Sequence, residues 1–249
     1  MKGPVNPQWR GLRVLLTLGS AFVVLHTALD QRAQAADSPK DKGPVSTGNL
    51  VPLILDLPKA AFVGTPPNDL QTNSYTEPYD PNKSRPPMLV PPGLKNIARG
   101  SKLTCSDTNA TAEVLAKLTD EDKDAYDESI IFLRRGTQYV QMDLGSPHEL
   151  FAIVIWHAHN MLKVYHDVIV RVAADPEFKQ QVRTLFNNDQ DNTSGLGVGT
   201  DREYFETREG KLIDAKGIKA RYIRFYSRGS TNGGLNEYTE IEVYDRPAQ

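Results

Sequence analysis

Cysteine is almost absent from the sequence, with Cys105 as its only copy, so no disulfide can form within the chain. The fold must therefore rest on a hydrophobic core, and the 39% share of hydrophobic residues is enough to build one. Cys105 lies in the strand-like run 102–106, which favours a buried, inert thiol over a nucleophile.

The chain also has no excess of basic residues over acidic ones. The chain carries 29 basic and 31 acidic residues, and residues 1–35 hold four of the former and one of the latter. The remainder therefore has 25 basic (29 − 4) and 30 acidic (31 − 1) residues, a formal charge of −5. A protein with this balance has no general attraction to phosphate backbones, which argues against nucleic acid as a partner.

The apolar run at residues 14–25 is shorter than the roughly 20 residues that a transmembrane helix needs. It follows three basic residues and precedes the sequence A-Q-A at 33–35, which is the pattern of a secretory signal peptide. We expect cleavage after Ala35 to release a secreted or periplasmic protein with no stable membrane insertion. The alternative is an uncleaved N-terminal anchor over residues 12–29.

Proline is concentrated in one segment, because 12 of the 17 prolines fall within residues 36–95. Proline favours extended backbone and removes an amide donor. Residues 36–94 are therefore predicted to form a proline-rich arm or linker. Within it, residues 50–63 are too apolar for a free tail, so we expect them to pack along the edge of the following domain, a position that suits prolines.

From residue 96 onward, short alternating runs are separated by clusters of Gly, Asn, Asp and Pro, as expected of an all-β sandwich. Val140, Met142 and Leu144 alternate with polar residues, which predicts a strand with one buried face. One short helix is predicted at residues 111–118. The predicted strands, which together bury one core, are residues 139–144, 150–156, 166–172, 182–186, 221–226 and 239–244.

Five short motifs occur in a fixed order along about 150 residues. They are NIARG at 96–100, LTD at 118–120, QMDLG at 141–145, ARYIRFY at 220–226 and EIEVY at 240–244. Through them residues 95–246 resemble the discoidin domain, also called the coagulation factor 5/8 type C domain, within the galactose-binding-like β-sandwiches. The resemblance implies a jelly-roll β-sandwich whose loops at one end hold a ligand, commonly a terminal sugar, and it implies no catalysis.

The resemblance also implies a structural calcium ion between the loop after the first helix and the last strand. The matching loop is residues 119–124, and its carboxylates with that of the last strand can supply the oxygen ligands that calcium prefers. Glu121 stands where the family usually has glycine. The implied calcium ligands are Asp120, Asp122 and Glu240.

Two polar loops and one aromatic group are the candidate ligand contacts. Residues 156–160 close a buried strand, and a continued strand would turn both histidines to the same face. Residues 187–192 are rich in Asn and Asp and precede a glycine-rich stretch, which is typical of a long loop that can carry binding groups. Tyr204, with Phe205 and Tyr165, can form an aromatic platform for a sugar ring. The predicted contacts are Trp156, His157, His159, Asn160, Asn188, Asp189, Asp191 and Tyr204.

Three arginines lie within the predicted strands: Arg171, Arg221 and Arg224. Their aliphatic stems can pack along the border of the core while the guanidinium groups stay near water. We expect the guanidinium groups to pair with Asp143 or Asp167 in a structural role.

These observations favour an exported, non-catalytic module that binds a glycan or polysaccharide. One alternative is a protein-interaction or surface-assembly module that docks a partner protein through the arm and the loop end. The other is a metal-dependent hydrolase that uses His157 and His159, with His166 as a third imidazole.

Overall fold

The computed structural model describes residues 49–61 and 72–246. The predicted signal peptide and the alternative anchor lie outside the described residues. Within them, no helix combines the length and the apolar character needed to cross a membrane. The elements are β1 (Val51–Pro52), β2 (Leu89–Val90), β3 (Lys95–Asn96), β4 (Lys102–Cys105), α1 (Ala112–Ala116), a 3₁₀ turn (Lys117–Thr119), β5 (Ile131–Leu133), β6 (Gln138–His157), β7 (Ile169–Ala173), β8 (Arg183–Asn187), β9 (Lys211–Ser227) and β10 (Asn236–Asp245).

Two long strands, β6 and β9, pair antiparallel, and each contributes to two sheets. In the first sheet, the early part of β6 lies beside the late part of β9, with β4 beyond β6 and with β7 and β8 beyond β9. In the second sheet, the late part of β6 lies between β10 and the early part of β9, and both β3 and β5 pair with β10. Buried side chains from both sheets form one core, as in a β-sandwich.

Strand β6 changes sheets at a bend, where its pairing with β9 shifts register between Asp143 and His148. Gly145 has a φ of 80° there, a left-handed conformation that glycine adopts without steric cost. Val140 and Met142 before the bend and Ile153 after it all belong to the core. The bend explains why the sequence pattern predicts two strands where the structure has one long strand.

The all-β prediction is confirmed, with small corrections to the bounds. The predicted helix is shorter than expected, since α1 spans Ala112–Ala116 with Thr111 as its capping residue. Strand β7 begins only at Ile169, because Asp167 has a φ of 51°, which extended backbone does not allow. The early part of β9, residues 211–220, was not predicted as a strand.

The outer face of the second sheet is buried under other parts of the chain. Lys123 lies over it, with its Nζ 2.7 Å from Glu242 Oε1, 2.8 Å from the carbonyl oxygen of Asp56 and 5.2 Å from the centre of the Trp156 ring. The arm therefore contacts the sandwich at residue 56. This cover explains why Trp156 is fully buried on the face that points away from the core.

Candidate functional site

Several loops meet at the end of the sandwich where β6 and β8 end and β10 begins, which we call the loop end. The β6–β7 loop is bonded to the β9–β10 loop, since His166 N donates to Gly229 O at 3.0 Å and Arg228 N donates to His166 O at 2.9 Å. It is also bonded to the β8–β9 loop, since Asn188 N donates to Val168 O at 3.1 Å. The two loops predicted to carry ligand contacts therefore lie at one end of the domain.

A groove of about 570 Å³ opens at this end between the arm and the β8–β9 loop. One wall is residues 77–86 of the arm, and the other is residues 204–212. Residues 60, 61, 159, 161 and 162 complete the lining. We call it the arm groove. Its volume is in the range of sites that hold small molecules.

The arm wall of the groove is held by hydrogen bonds to the opposite wall. Arg85 donates from its backbone N to Glu209 Oε2 at 3.0 Å, and from Nη1 to the carbonyl oxygens of Glu209 and Gly210, both at 2.9 Å. Burial lowers the pKa of Arg85, and the nearby Glu209 carboxylate opposes that shift. Further along, Glu77 N donates to Glu203 O at 2.8 Å. The groove is therefore pre-formed.

The groove surface combines aromatic rings with charged groups. Tyr79 and Phe205 are half-buried, and their ring centres lie 5.4 Å apart at a tilt of 59°. Lys211 Nζ lies 4.5 Å from the centre of the Tyr204 ring and 3.7 Å from Glu77 Oε1. Such a surface can pack against the apolar face of a ring compound and also bond its polar substituents.

A buried polar network lies behind the groove wall. His157 Nδ1 lies 3.0 Å from Glu206 Oε2, and the imidazole stacks on Tyr165 with ring centres 4.3 Å apart. Burial, and then the charge of Glu206, raises the pKa of Tyr204 well above its usual range. Among the described residues, no partner is present for Tyr204 Oη, Glu206 Oε1 or His157 Nε2.

The first group of predicted ligand contacts is mostly buried. Trp156 is fully buried and donates from Nε1 to Arg208 O at 2.9 Å, so its ring does not reach a ligand surface. His157 is fully buried in the network behind the groove. His159 is 2% exposed, with Nε2 2.9 Å from Lys123 O, and it lines the arm groove, whereas Asn160 is exposed. Tyr204, predicted as part of a platform, is a buried wall residue.

The second group supports its own loop. Asn188 Oδ1 accepts from Val168 N at 2.6 Å, and Asp189 accepts from Thr193 N at 3.1 Å and from Ser194 N at 2.9 Å. Asp191 is exposed, and one of its carboxylate oxygens lies within 4.8 Å of a carboxylate oxygen of Asp189 and of Asp167. Hydrogen bonds from Thr193 lower the pKa of Asp191. Residues 188–191 do not line the arm groove.

Among the described residues, His157 and His159 do not form the shared metal site that the hydrolase alternative requires. His157 turns toward Tyr165 and Tyr238 in the core, while His159 bonds to the loop at Lys123. In the described part of the chain, these two histidines do not belong to a group that could share a metal ion. The two side chains do not share a face because β6 ends at His157 and does not continue to His159.

Among the described residues, the three candidate calcium ligands do not form a group whose oxygen atoms could share one ion, but Asp120 lies near enough to Glu240 for their charges to interact. Glu240 is fully buried, its Oε1 accepts from Glu121 N at 3.3 Å, and no described residue bonds its Oε2. Burial, followed by the charge of Asp120, raises the pKa of Glu240 to about 8. A buried, unpartnered carboxylate beside a second carboxylate fits a divalent cation. Asp122 is less suited, because its carboxylate already accepts from Asp124 N and Ser129 Oγ.

The turn beside this site is made without glycine. Glu121 has a φ of 77°, a left-handed conformation that a residue other than glycine adopts at an energetic cost. We expect Glu121→Gly to raise the free energy of unfolding by about 1 kcal/mol, measured by urea denaturation. Glu121→Ala is the control, since it removes the exposed ion pair with Arg99 but keeps the strain. Equal stability of the two variants would contradict the strain.

The comparisons with known proteins rest on structure alone, because no family model and no curated protein sequence matches the chain. The CBM32 module of AlyQ in complex with 4,5-unsaturated mannuronic acid is 17% identical over 57% of this chain and 92% of that one, with a TM-score of 0.40. A Streptococcus pneumoniae fucose binding module is 15% identical over 61% and 98%, with a TM-score of 0.42. A family 89 glycoside hydrolase from Clostridium perfringens is 17% identical over 61% of this chain but only 14% of that enzyme, with a TM-score of 0.43.

Proposed function

We propose that the chain is an exported, non-catalytic carbohydrate-binding module whose ligand lies in the arm groove. The observation that carries the proposal is the pairing of half-buried aromatic rings, Tyr79 and Phe205, with charged groups in one pre-formed groove at the loop end. A sugar ring has an apolar face that packs on an aromatic ring and hydroxyl groups that need hydrogen-bond partners. Glu77 and Lys211 are the partners that the groove offers.

The test is a glycan array probed with the full chain, repeated with Phe205→Ala and Tyr79→Ala. We expect selective binding of one glycan class, with the dissociation constant raised at least about tenfold in each variant, equivalent to about 1.4 kcal/mol. Tyr126→Ala is the matched control, because Tyr126 is an exposed aromatic residue that does not line the groove.

Two readouts, thermal unfolding and glycan binding, decide the outcome. Thermal unfolding establishes that each variant is folded, which separates a lost contact from a lost structure. Binding that is abolished by Phe205→Ala but kept by Tyr126→Ala supports the proposal. An array without any binder, or binding that no groove variant weakens, contradicts it.

We also propose that calcium binds at Asp120 and Glu240. The unpartnered buried oxygen of Glu240 and its raised pKa support this, since a bound cation favours the charged carboxylate. Calcium would supply the positive charge that offsets the two carboxylates. Asp120 and Glu240 would then, through the ion, hold the loop after the 3₁₀ turn against β10.

A protein-interaction module is the second candidate function. The observation that favours it is the apolar surface of the arm around β1 and β2, where Leu50 is 54%, Leu89 58% and Ile54 82% exposed. Exposed apolar side chains that lie together are typical of protein interfaces. Replacement of Ile54 by Ser would weaken a partner complex in this case and leave glycan binding unchanged.

A further inference from the structure

Two arginines face each other on neighbouring strands of the first sheet. Arg171 of β7 and Arg224 of β9 are direct partners in the register of the antiparallel pair. Their neighbours Val170 and Phe225 belong to the core, so the alternation of side chains places both arginines on the outer face of the sheet. Like charges at directly opposite positions are destabilising.

The guanidinium group of Arg224 is fixed by neutral partners. Its Nε donates to Gln141 Oε1 at 2.7 Å and its Nη2 donates to Pro176 O at 2.9 Å. The rings of Tyr139 and Phe178 lie 4.5 and 4.2 Å from its central carbon. These contacts hold the group in position without neutralising its charge.

Arg171 has even less compensation. Its Nε is buried and lacks a hydrogen-bond partner among residues 49–61 and 72–246, and neither Arg171 nor Arg224 forms an ion pair within those ranges. The pairing predicted for all three strand arginines is therefore right only for Arg221. Its Nε and Nη2 lie 2.7 and 2.9 Å from the Asp143 carboxylate, whose pKa they lower.

The other acidic residue predicted to pair with these arginines is also engaged elsewhere. Asp167 Oδ2 accepts from Thr193 Oγ1 at 2.6 Å and lies 3.9 Å from Arg228 Nε. The outer face thus carries two like charges that no described carboxylate offsets, on a chain whose net charge is −2. Both arginines are partly exposed, so a ligand from solution can reach them.

We propose that Arg171 and Arg224 bind the carboxylate of an acidic sugar, so that the outer face of the first sheet recognises a uronate residue of a polysaccharide. A carboxylate matches the fork of donors on a guanidinium group and relieves the repulsion between the two arginines. The half-buried rings of Tyr139 and Phe178 flank the position. That the carboxylate belongs to a polysaccharide rests on the proposed function. The arginine site itself lies apart from the arm groove.

The test is isothermal titration of the full chain with trigalacturonate, with uncharged trigalactose and with acetate. We expect trigalacturonate to bind at least about tenfold more tightly than either of the others, and to lose about tenfold in affinity in Arg171→Gln and in Arg224→Gln. Arg183→Gln on β8 is the matched control, since Arg183 is exposed and, within the described part of the chain, its side chain donates only to the adjacent Val182 O.

Thermal unfolding gives an independent readout. Loss of one of two facing charges should leave Arg171→Gln at least as stable as the parent chain, whereas a purely structural arginine would destabilise the chain when removed. Equal binding of acetate and trigalacturonate, equal binding of trigalactose and trigalacturonate, or binding unchanged by Arg171→Gln would overturn the proposal. The two proposals can also fail separately. If the chain binds no uncharged glycan but binds uronate in a way that requires Arg171 and not Phe205, the result contradicts the arm groove and supports the arginine site.

Discussion

Calcium is expected to raise the stability of the chain, and the increase should grow as the pH rises from about 5 to about 8. Without a cation, the pKa of Glu240 is about 8 in the folded chain against 4.5 for the free side chain. The folded state therefore holds a proton in this range that the unfolded state has lost, and stability falls as the pH rises. The fall approaches about 1.4 kcal/mol per pH unit and ends above pH 8.

The sign of the calcium effect follows from the same carboxylate. Calcium needs the deprotonated form of Glu240, so it competes with the proton and offsets a penalty that is small at pH 5 and several kcal/mol at pH 8. The measurement is urea denaturation at pH 5, 6.5 and 8, with calcium and with a chelator. A stability that is independent of pH in the chelator would contradict the buried, uncompensated carboxylate.

Two variants separate Glu240 from the other acidic groups in this region. Glu240→Gln keeps the shape without the charge, so it should remove both the pH slope and the response to calcium. Asp127→Asn is the control, because Asp127 is exposed in the same loop and should behave like the parent chain. A calcium response that survives Glu240→Gln would place the ion elsewhere.

The second large effect is expected at Gly210, where the arm groove meets Trp156. Gly210 has a φ of 62°, and a Cβ there would lie 2.8 Å from the buried Trp156 ring and 2.9 Å from Ile155 O. Gly210→Ala should therefore cost about 3 kcal/mol or more of unfolding free energy, from backbone strain together with overpacking against a ring that cannot move into solvent. Denaturant unfolding measures the loss.

Gly195 supplies the matched control for this substitution. It has a φ of 73°, but a Cβ there would meet no atom of the described residues within 4 Å. Gly195→Ala should therefore cost only the backbone strain, about 1 kcal/mol. Similar losses in the two variants would mean that Trp156 can shift away from the added methyl group, and that the groove wall is less rigid than its hydrogen bonds indicate.

The sandwich could be predicted because its information is local. Alternation of apolar residues along Val140 and Met142 places the core face of a strand without knowledge of its neighbours. The bend in β6 could not be predicted, since residues 145–149 separate the two predicted strands as an ordinary connection would. Nor could the early part of β9, where charged residues such as Lys211 and Lys216 interrupt the apolar pattern.

The candidate site was harder to predict because its parts are far apart in sequence. Arg85 and Glu209, which tie the two walls of the arm groove, are 124 residues apart, and no periodicity links them. The same reason explains Trp156, whose outward face looks available in a strand pattern but is covered by Lys123 and the arm. Glu240 was identified only through the resemblance to a family, since its burial cannot be read from neighbouring residues.

The most direct test of glycan binding in the arm groove is amide chemical-shift mapping of the full chain with the glycan that the array selects. Binding in the groove predicts shifts concentrated in residues 77–86 and 204–212, with the five-stranded first sheet unaffected by an uncharged glycan. Shifts confined to residues 187–192, or absent from both groove walls, would contradict it.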